Sequence, residues 1–344
     1  MNILITGGSG FIGSSLIKNL FYNTKHTIIN FDKLTYASLY KIPQNIIKSD
    51  RYSFKKIDIC SNHITSLLKK YKPNILVHLA AESHVDNSIS SPSEFINTNI
   101  YGTYNLLRST AKYLSSLTSK KKNSFKFINF STDEVFGDLA DNKYKNFSEN
   151  TPYNPSSPYS ASKAAADHLV MAWHRTYKLP TITLNSSNNY GPRQHFEKLI
   201  PLTVKNALLK KPIPIYGNGL QKRDWIYVDD CTNAIMKVIK LGKVGNNYNI
   251  GARNVMKNID LVKKICLILE KIYPYTQNNA NNKIKKKSYL ELIKYVKDRP
   301  GHDLHYAINP RKIEDNLNWK PSLNLNQGLY KTVEWYVSLY NKKI

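Results

Sequence analysis

The opening of the chain constrains the fold more than any other stretch. A short apolar run, Asn2-Ile3-Leu4-Ile5-Thr6, passes directly into Gly7-Gly8-Ser9-Gly10-Phe11-Ile12-Gly13 and then into an apolar-periodic segment, Ser14 to Phe21. Glycines at 7, 10 and 13 permit a tight turn and let the backbone approach a ligand closely, while a helix that begins there turns unpaired N–H groups toward an anion. A second run, Thr27 to Phe31, ends in Asp32, 19 residues beyond Gly13. That is the place of a carboxylate that bonds the ribose hydroxyls of a dinucleotide. The same carboxylate repels a 2′-phosphate and favours NAD over NADP, whereas the neighbouring Lys33 pulls the other way.

Further apolar runs repeat the pattern. Tyr52 to Ile57 ends at Asp58-Ile59, Ile75 to Leu79 at Ala80-Ala81-Glu82-Ser83, and Phe125 to Phe130 at Ser131-Thr132, with helical stretches between them. This alternation predicts an α/β fold, a doubly wound parallel sheet whose ligands bind beyond the carboxyl ends of its strands. Asp58, Ala80, Ala81, Ser83, Thr132, Asp133 and Glu134 fall at those ends and so form one candidate site. A chain of 344 residues is long enough for such a domain and a smaller lobe. Residues 1–184 are expected to bind the dinucleotide, with 224–241 returning to them, and 185–344, richer in Pro and Gly turns, to form mainly a substrate-binding lobe. Asn278 to Lys287 reads as a polar loop.

Tyr159 and Lys163 stand four apart in a segment, Tyr159 to Tyr177, that reads as helix, so both side chains share one face. A phenol titrates near 10; to act as a base near neutrality it needs a shift of roughly 3 units, about 4 kcal/mol, and an adjacent ammonium acts in that direction. Ser131-Thr132-Asp133-Glu134 precedes this pair by 25 residues. Together they hold more proton-transfer groups than a simple dehydrogenase needs.

In these residues the chain resembles the extended short-chain dehydrogenase/reductases, and among them the dTDP-glucose 4,6-dehydratases and their UDP-glucose relatives. The resemblance runs through Gly7 to Gly13, Phe31 to Ala37, Leu79 to Asp86, Thr98-Asn99, Ser131 to Gly137 and Tyr159 to Lys163, and on through Ser187 to Pro192, Glu197 to Pro201, Pro214 to Gly217, Arg223 to Trp225 and Asp298 to His302. It implies a Rossmann fold and NAD bound by Gly7, Gly10, Phe11, Ile12, Gly13, Asp32, Lys33, Leu34, Thr35, Asp58, Ile59, Leu79, Ala80, Ala81, Ser83, Thr98, Tyr159, Lys163 and Asn189. It also implies an internal redox cycle on a nucleotide sugar. Tyr159 as phenolate takes the C4 hydroxyl proton, beside Thr132, and Lys163 binds the nicotinamide ribose. Glu134 takes the C5 proton, and Asp133, kept protonated, gives a proton to the departing C6 hydroxyl. Substrate contacts carry over to Ser83, Thr132, Asn188, Lys198, Leu199, Pro214, Ile215, Tyr216, Arg223, Asn254, Arg299 and His302, the arginines suiting a diphosphate.

A UDP-hexose 4-epimerase would need Tyr159 and Lys163 but no acid and base at C5 and C6; a nucleotide-sugar decarboxylase is the nearer alternative. Thymine and uracil both remain open as the base, and Phe196, where relatives commonly place proline, bears on that choice. The resemblance further implies a homodimer built on 95–117 and 159–177, with Leu169 and Trp173 at the face.

Charge raises a different class of partner. Lys plus Arg total 50 against 24 acidic residues, a net charge of +26, which ordinarily suggests nucleic acid. Only eight of the 50 are arginine, and the lysines are scattered among Asn, Ile and Tyr. Runs such as Lys120-Lys121-Lys122 and Lys285-Lys286-Lys287 therefore read as solvated loops, and nucleic acid is not the expected partner. Cys60, Cys231 and Cys266 are too few and too far apart for a disulfide framework, and no Cys/His spacing matches a metal site. The first residues belong to a strand and no apolar run reaches membrane-spanning length, so the expected compartment is the cytoplasm.

Overall fold

The computed structural model describes residues 1–38, 42–140, 145–278 and 287–342. Of the polar loop expected at 278–287, residues 279–286 lie outside that set, as do Lys285 and Lys286 of the second lysine run. Twelve strands run in chain order: β1 (Asn2–Thr6), β2 (Thr27–Asp32), β3 (Tyr52–Lys56), β4 (Ile75–His78), β5 (Lys126–Thr132), β6 (Thr181–Ser186), β7 (Asn188–Tyr190), β8 (Ile213–Tyr216), β9 (Lys222–Tyr227), β10 (Asn247–Ile250), β11 (Val255–Lys257) and β12 (Ile293–Val296). Seven of them form one sheet in the order β10-β6-β5-β4-β1-β2-β3, and every pairing within it is parallel. The expected doubly wound parallel sheet is therefore present. Strand order reverses between β1 and β4, which opens a crevice at their carboxyl ends.

Both faces of the sheet are covered, which is why its central strands are apolar throughout rather than alternating. On one face Ile3, Ile5 and Ile128 pack with Leu16, Leu20, Ile235 and Val238 from the helices Phe11–Asn23 and Val228–Leu241. On the other, Leu4, Leu76 and Phe127 meet Leu68, Leu106, Leu114 and Val170. Each fully buried Leu or Ile contributes about 1.5–3 kcal/mol by leaving water. The helices 11–23 and 228–241 are also tied directly, Ser15 Oγ donating to Asp229 Oδ1 at 2.8 Å.

The sheet also recruits chain from beyond residue 184: β10 pairs with β6, and β6 itself spans the point where Pro and Gly turns begin to accumulate. A second core, including Tyr190, Val204, Trp225, Leu261 and Leu329, lies beneath the small sheets β11-β9-β7 and β12-β8.

The helix Pro158–Tyr177 begins where its sequence dictates. Ser157 and Ser160 form a reciprocal capping box, Pro158 occupies the first turn where its missing N–H costs nothing, and Lys178 stops the helix in a left-handed conformation. The first helix starts at Phe11, three residues before the apolar periodicity becomes visible, because the Ser14 N–H already bonds the Gly10 carbonyl at 2.9 Å.

Candidate active site

The glycine turn forms the floor of a long groove across the β1/β4 crevice. Gly7 has φ 72°, and a Cβ there would lie 2.7 Å from the Ala80 Cα, so turn and β4 can touch only through glycine. A Cβ at Gly13 would strike the Gly7 carbonyl oxygen, which lets the helix start directly against the turn. No side chain caps that helix and no acidic residue stands in its first turn, so its N-terminal amides face the groove as an anion site. At the far edge Asp32 accepts from Ser9 N at 2.9 Å and Leu34 N at 2.7 Å, which fixes the carboxylate at the end of β2. Lys33 lies between Glu82 at 3.3 Å and Asp58 at 3.9 Å and bonds Thr98 Oγ1. Its charge is thus balanced by two carboxylates and is not left to attract a 2′-phosphate. A π-helical turn, Ile96–Gly102, presents Thr98 to this end of the groove. The groove's chemistry fits a dinucleotide: uncapped amides at its centre, a fixed carboxylate at one end, and Tyr159 and Lys163 at the other.

The reactive cluster sits where β5 ends. Thr132 is the last residue of the strand, and its hydroxyl accepts from Glu134 N at 3.2 Å, starting the 3-10 turn Asp133–Phe136 that projects both carboxyl groups beyond the sheet. Asp133 is buried; Oδ1 takes a 3.4 Å contact from the Thr132 hydroxyl, and Oδ2 has no hydrogen-bond partner. Burial, then the neighbouring Glu134 and Asp224, push Asp133 well above the ordinary carboxyl range. Burial raises Glu134 too, but Arg223, Lys198 and Arg299 all oppose it. Two adjacent carboxyl groups are thereby separated: one favoured as the acid, the other faced by three cations.

Glu134 also lines a second cleft that meets the groove and runs between Ser83 to Asp86 on one side and Lys198, Tyr216, Arg223 and Arg299 on the other. Arg223 stacks 4.1 Å over Tyr306 and donates to the Asp303 carbonyl at 2.8 Å. Arg299 lies 4.9 Å over Tyr216 and 3.4 Å from Asp86. Lys198 donates to the Ser83 carbonyl at 2.7 Å, and burial lowers its pKa. Buried polar atoms without a hydrogen-bond partner collect along this wall: Asn188 Oδ1, Gln194 Oε1, Trp225 Nε1, Asn258 Oδ1 and Arg299 Nε. Such a concentration is costly in a core and ordinary in a site built to bond a polar ligand.

Residues 4–332 match the protein family described as GDP-mannose 4,6 dehydratase. A dTDP-glucose 4,6-dehydratase of Haemophilus influenzae is 51% identical over 338 residues, covering 98% of each chain. The chain belongs to the dTDP-glucose 4,6-dehydratase family. Among solved members, the Bacillus anthracis enzyme in complex with NAD superposes with a TM-score of 0.83 at 40% identity, covering 99% of this chain and 98% of that one. The Streptomyces venezuelae enzyme with NAD and dTDP bound superposes with a TM-score of 0.87 at 34% identity and the same coverage.

Within this dehydratase fold most residues singled out from sequence come together. Gly7, Gly10, Phe11, Ile12, Gly13, Asp32, Lys33, Thr35, Asp58, Ile59, Leu79, Ala80, Ala81, Ser83, Thr98, Asn189, Tyr159 and Lys163 line the groove. Ser83, Asn188, Lys198, Leu199, Pro214, Ile215, Tyr216, Arg223, Arg299 and His302 line the cleft. Two do not. The Leu34 side chain is 44% exposed in a left-handed conformation, and its backbone N–H, not its side chain, serves the site by holding Asp32. Asn254 is spent on the β9–β11 turn, its N–H bonding Asp224 and its amide the Trp225 carbonyl.

A third difference is electrostatic. Tyr159 is raised, not lowered, first by burial and then by Glu134, while Lys163 Nζ is bonded to the Phe130 carbonyl at 2.8 Å. Helical spacing shows that the two share a face but cannot show the dehydration of that face. Glu197, Gln194, Trp225, Asn258 and Tyr306 also line the site. Glu197 and Trp225 stood inside the motifs quoted from the sequence, whereas Gln194, Asn258 and Tyr306 carry no local signal.

Proposed function

We propose that this chain removes water from dTDP-glucose to give dTDP-4-keto-6-deoxyglucose, a precursor of rhamnose and other deoxysugars. The observation that carries the reading is the pair Asp133 and Glu134 at the junction of groove and cleft, beside Tyr159, with electrostatic surroundings that differ in the sense an acid and a base require. NAD, held by the groove residues from Gly7 to Lys163, supplies the redox chemistry when bound, accepting hydride from the sugar C4 and returning it at C6.

The chain's own residues move the protons. Tyr159 takes the proton of the C4 hydroxyl, with Thr132 hydrogen-bonding the same oxygen. The ketone formed at C4 acidifies the C5 hydrogen, which Glu134 removes as general base. Asp133, kept neutral by burial, protonates the C6 hydroxyl so that it departs as water. Arg223, Arg299 and Lys198 hold the diphosphate, while Pro214, Ile215 and Tyr216 face the base. An epimerase would leave both carboxyl groups without a task. Incubation with dTDP-glucose and, separately, UDP-glucose, read by mass spectrometry, tests this: loss of one water from the thymine donor is expected, and conversion to an isomer of unchanged mass would refute it.

The protein acts as a homodimer through the helices 96–115 and 158–177. Ile96, Tyr101 and Tyr177 are exposed there at 57%, 44% and 61%, and Tyr101, Tyr104, Trp173 and Tyr177 form a continuous series of ring contacts. Leu169 and Trp173 also pack on the core beneath. No described helix is long and apolar enough to cross a membrane, and the three cysteines are free; the cytoplasm is the compartment that suits such a chain.

A further inference from the structure

Behind the reactive pair lies a buried carboxylate that the proposed reaction does not use. Asp167 stands one helical turn beyond Lys163, as Lys163 stands one turn beyond Tyr159, and it is 1% exposed. Its Oδ1 accepts from Asn129 Nδ2 at 2.7 Å, and its Oδ2 from Ser131 Oγ at 2.5 Å and Tyr153 OH at 3.1 Å. Lys163 bonds the carbonyl of Phe130, the residue between Asn129 and Ser131. The two side chains therefore grip three consecutive residues of β5 immediately before Thr132. The network reaches the reactive turn by a second route, since Asn185 Nδ2 lies 3.3 Å from both Tyr153 OH and the Thr132 carbonyl.

All three hydrogen-bond donors to Asp167 are neutral, and neutral donors alone could be met by a buried amide at far lower desolvation cost. Its charge is matched instead to Lys163. Burial lowers Lys163, and Asp167 is the group that pulls it back up. The other titratable groups facing the pair are His78 from β4, driven down to about 3 by burial, Tyr159 and Tyr153, and Asp133 and Glu134 from the turn after β5. We propose that Asp167 is a positioning residue, the buried counter-charge that keeps Lys163 as an ammonium seated on β5 beside Tyr159. The inference rests on reading Tyr159 and Lys163 as the reactive pair.

An NMR titration of the protein as purified, labelled with 13C-lysine, tests it, the Lys163 signal being the one lost in Lys163→Met. In Asp167→Asn the Lys163 midpoint should fall by about one pH unit or more, a tenfold loss of proton affinity. The alkaline limb of kcat/KM should move down with it. Asp167→Glu should restore both, and Tyr153→Phe, which removes a hydrogen bond but no charge, should leave the midpoint in place. A folded Asp167→Asn protein with an unmoved midpoint overturns the proposal. So does a wild type in which Lys163 is already neutral at pH 7, a measurement that needs no variant at Asp167 to fold. The titration is independent of substrate, so a protein that fails to dehydrate dTDP-glucose would count against the proposed function without deciding the role of Asp167.

Discussion

Asp133 and Glu134 are adjacent in sequence and differ in what surrounds them. The unpartnered, buried Oδ2 of Asp133 makes ionisation expensive, while Arg223, Lys198 and Arg299 hold Glu134 nearer its charged form. Glu134→Gln should lower turnover by roughly 10²–10⁴-fold and abolish incorporation of solvent deuterium at C5 of the sugar, a label that mass spectrometry reads directly. Retained deuterium uptake would show that another group takes the proton.

Asp133 makes a second prediction through linkage. Its folded-state pKa lies above the unfolded value, so the folded protein holds that proton more tightly. The associated stability is fully present below about pH 4 and is lost as pH rises through the folded value. Wild type should therefore lose stability relative to Asp133→Asn between about pH 4 and neutrality, read as diverging denaturant midpoints. Parallel midpoints would mean the carboxyl titrates normally. The identities of both residues were legible in the sequence; their separation was not, because it depends on Arg223, Lys198 and Arg299, which lie 64 to 165 positions further along the chain.

Among the elements, strands and glycine turns were legible because their cause is local. The run from Asn2 to Gly13 folds as its pattern predicts, and the reason for glycine at position 7 is visible in its 2.7 Å approach to Ala80. Gly7→Ala should cost about 1–3 kcal/mol, since it combines a left-handed φ with a backbone collision; an unchanged denaturant midpoint would contradict the geometry. The π-helical turn was not legible. Nothing in Ile96 to Gly102 distinguishes it from an ordinary helix, yet it lets Asn99 bond both the N–H and the carbonyl of Glu82 while also reaching Ser162, two residues of different elements on the rim of the site. Gln194 and Asn258 were missed for a related reason: their roles come from tertiary placement along the cleft, with no spacing to announce them. Asn254, conversely, sits in a suggestive stretch and is consumed by a turn.

At the level of the whole molecule, the excess of lysine finds a use without any nucleic acid. A basic field attracts a dianionic nucleotide sugar and weakens with salt, while the cleft itself relies on a few placed cations, Arg223, Arg299 and Lys198. The exposed aromatic face on the helices 96–115 and 158–177 is the larger unsatisfied surface. Replacing both Ile96 and Tyr101 with Glu should convert the dimer to monomer in size-exclusion chromatography with light scattering; a parent protein that already runs as a monomer would place the interface elsewhere or nowhere. Because the second of those helices also carries Tyr159 and Lys163, the monomeric variant should lose activity as well as its partner.

The last strand of the sheet, β10, is delivered by residues 247–250 and closes the edge of β6. A nascent chain emerging from the ribosome thus carries an open sheet edge beside the reactive turn until more than two-thirds of it has been made, and no cut in the first two-thirds yields a self-sufficient half. Gene fragments ending before residue 247 should accumulate as aggregates, not as a miniature dinucleotide-binding protein.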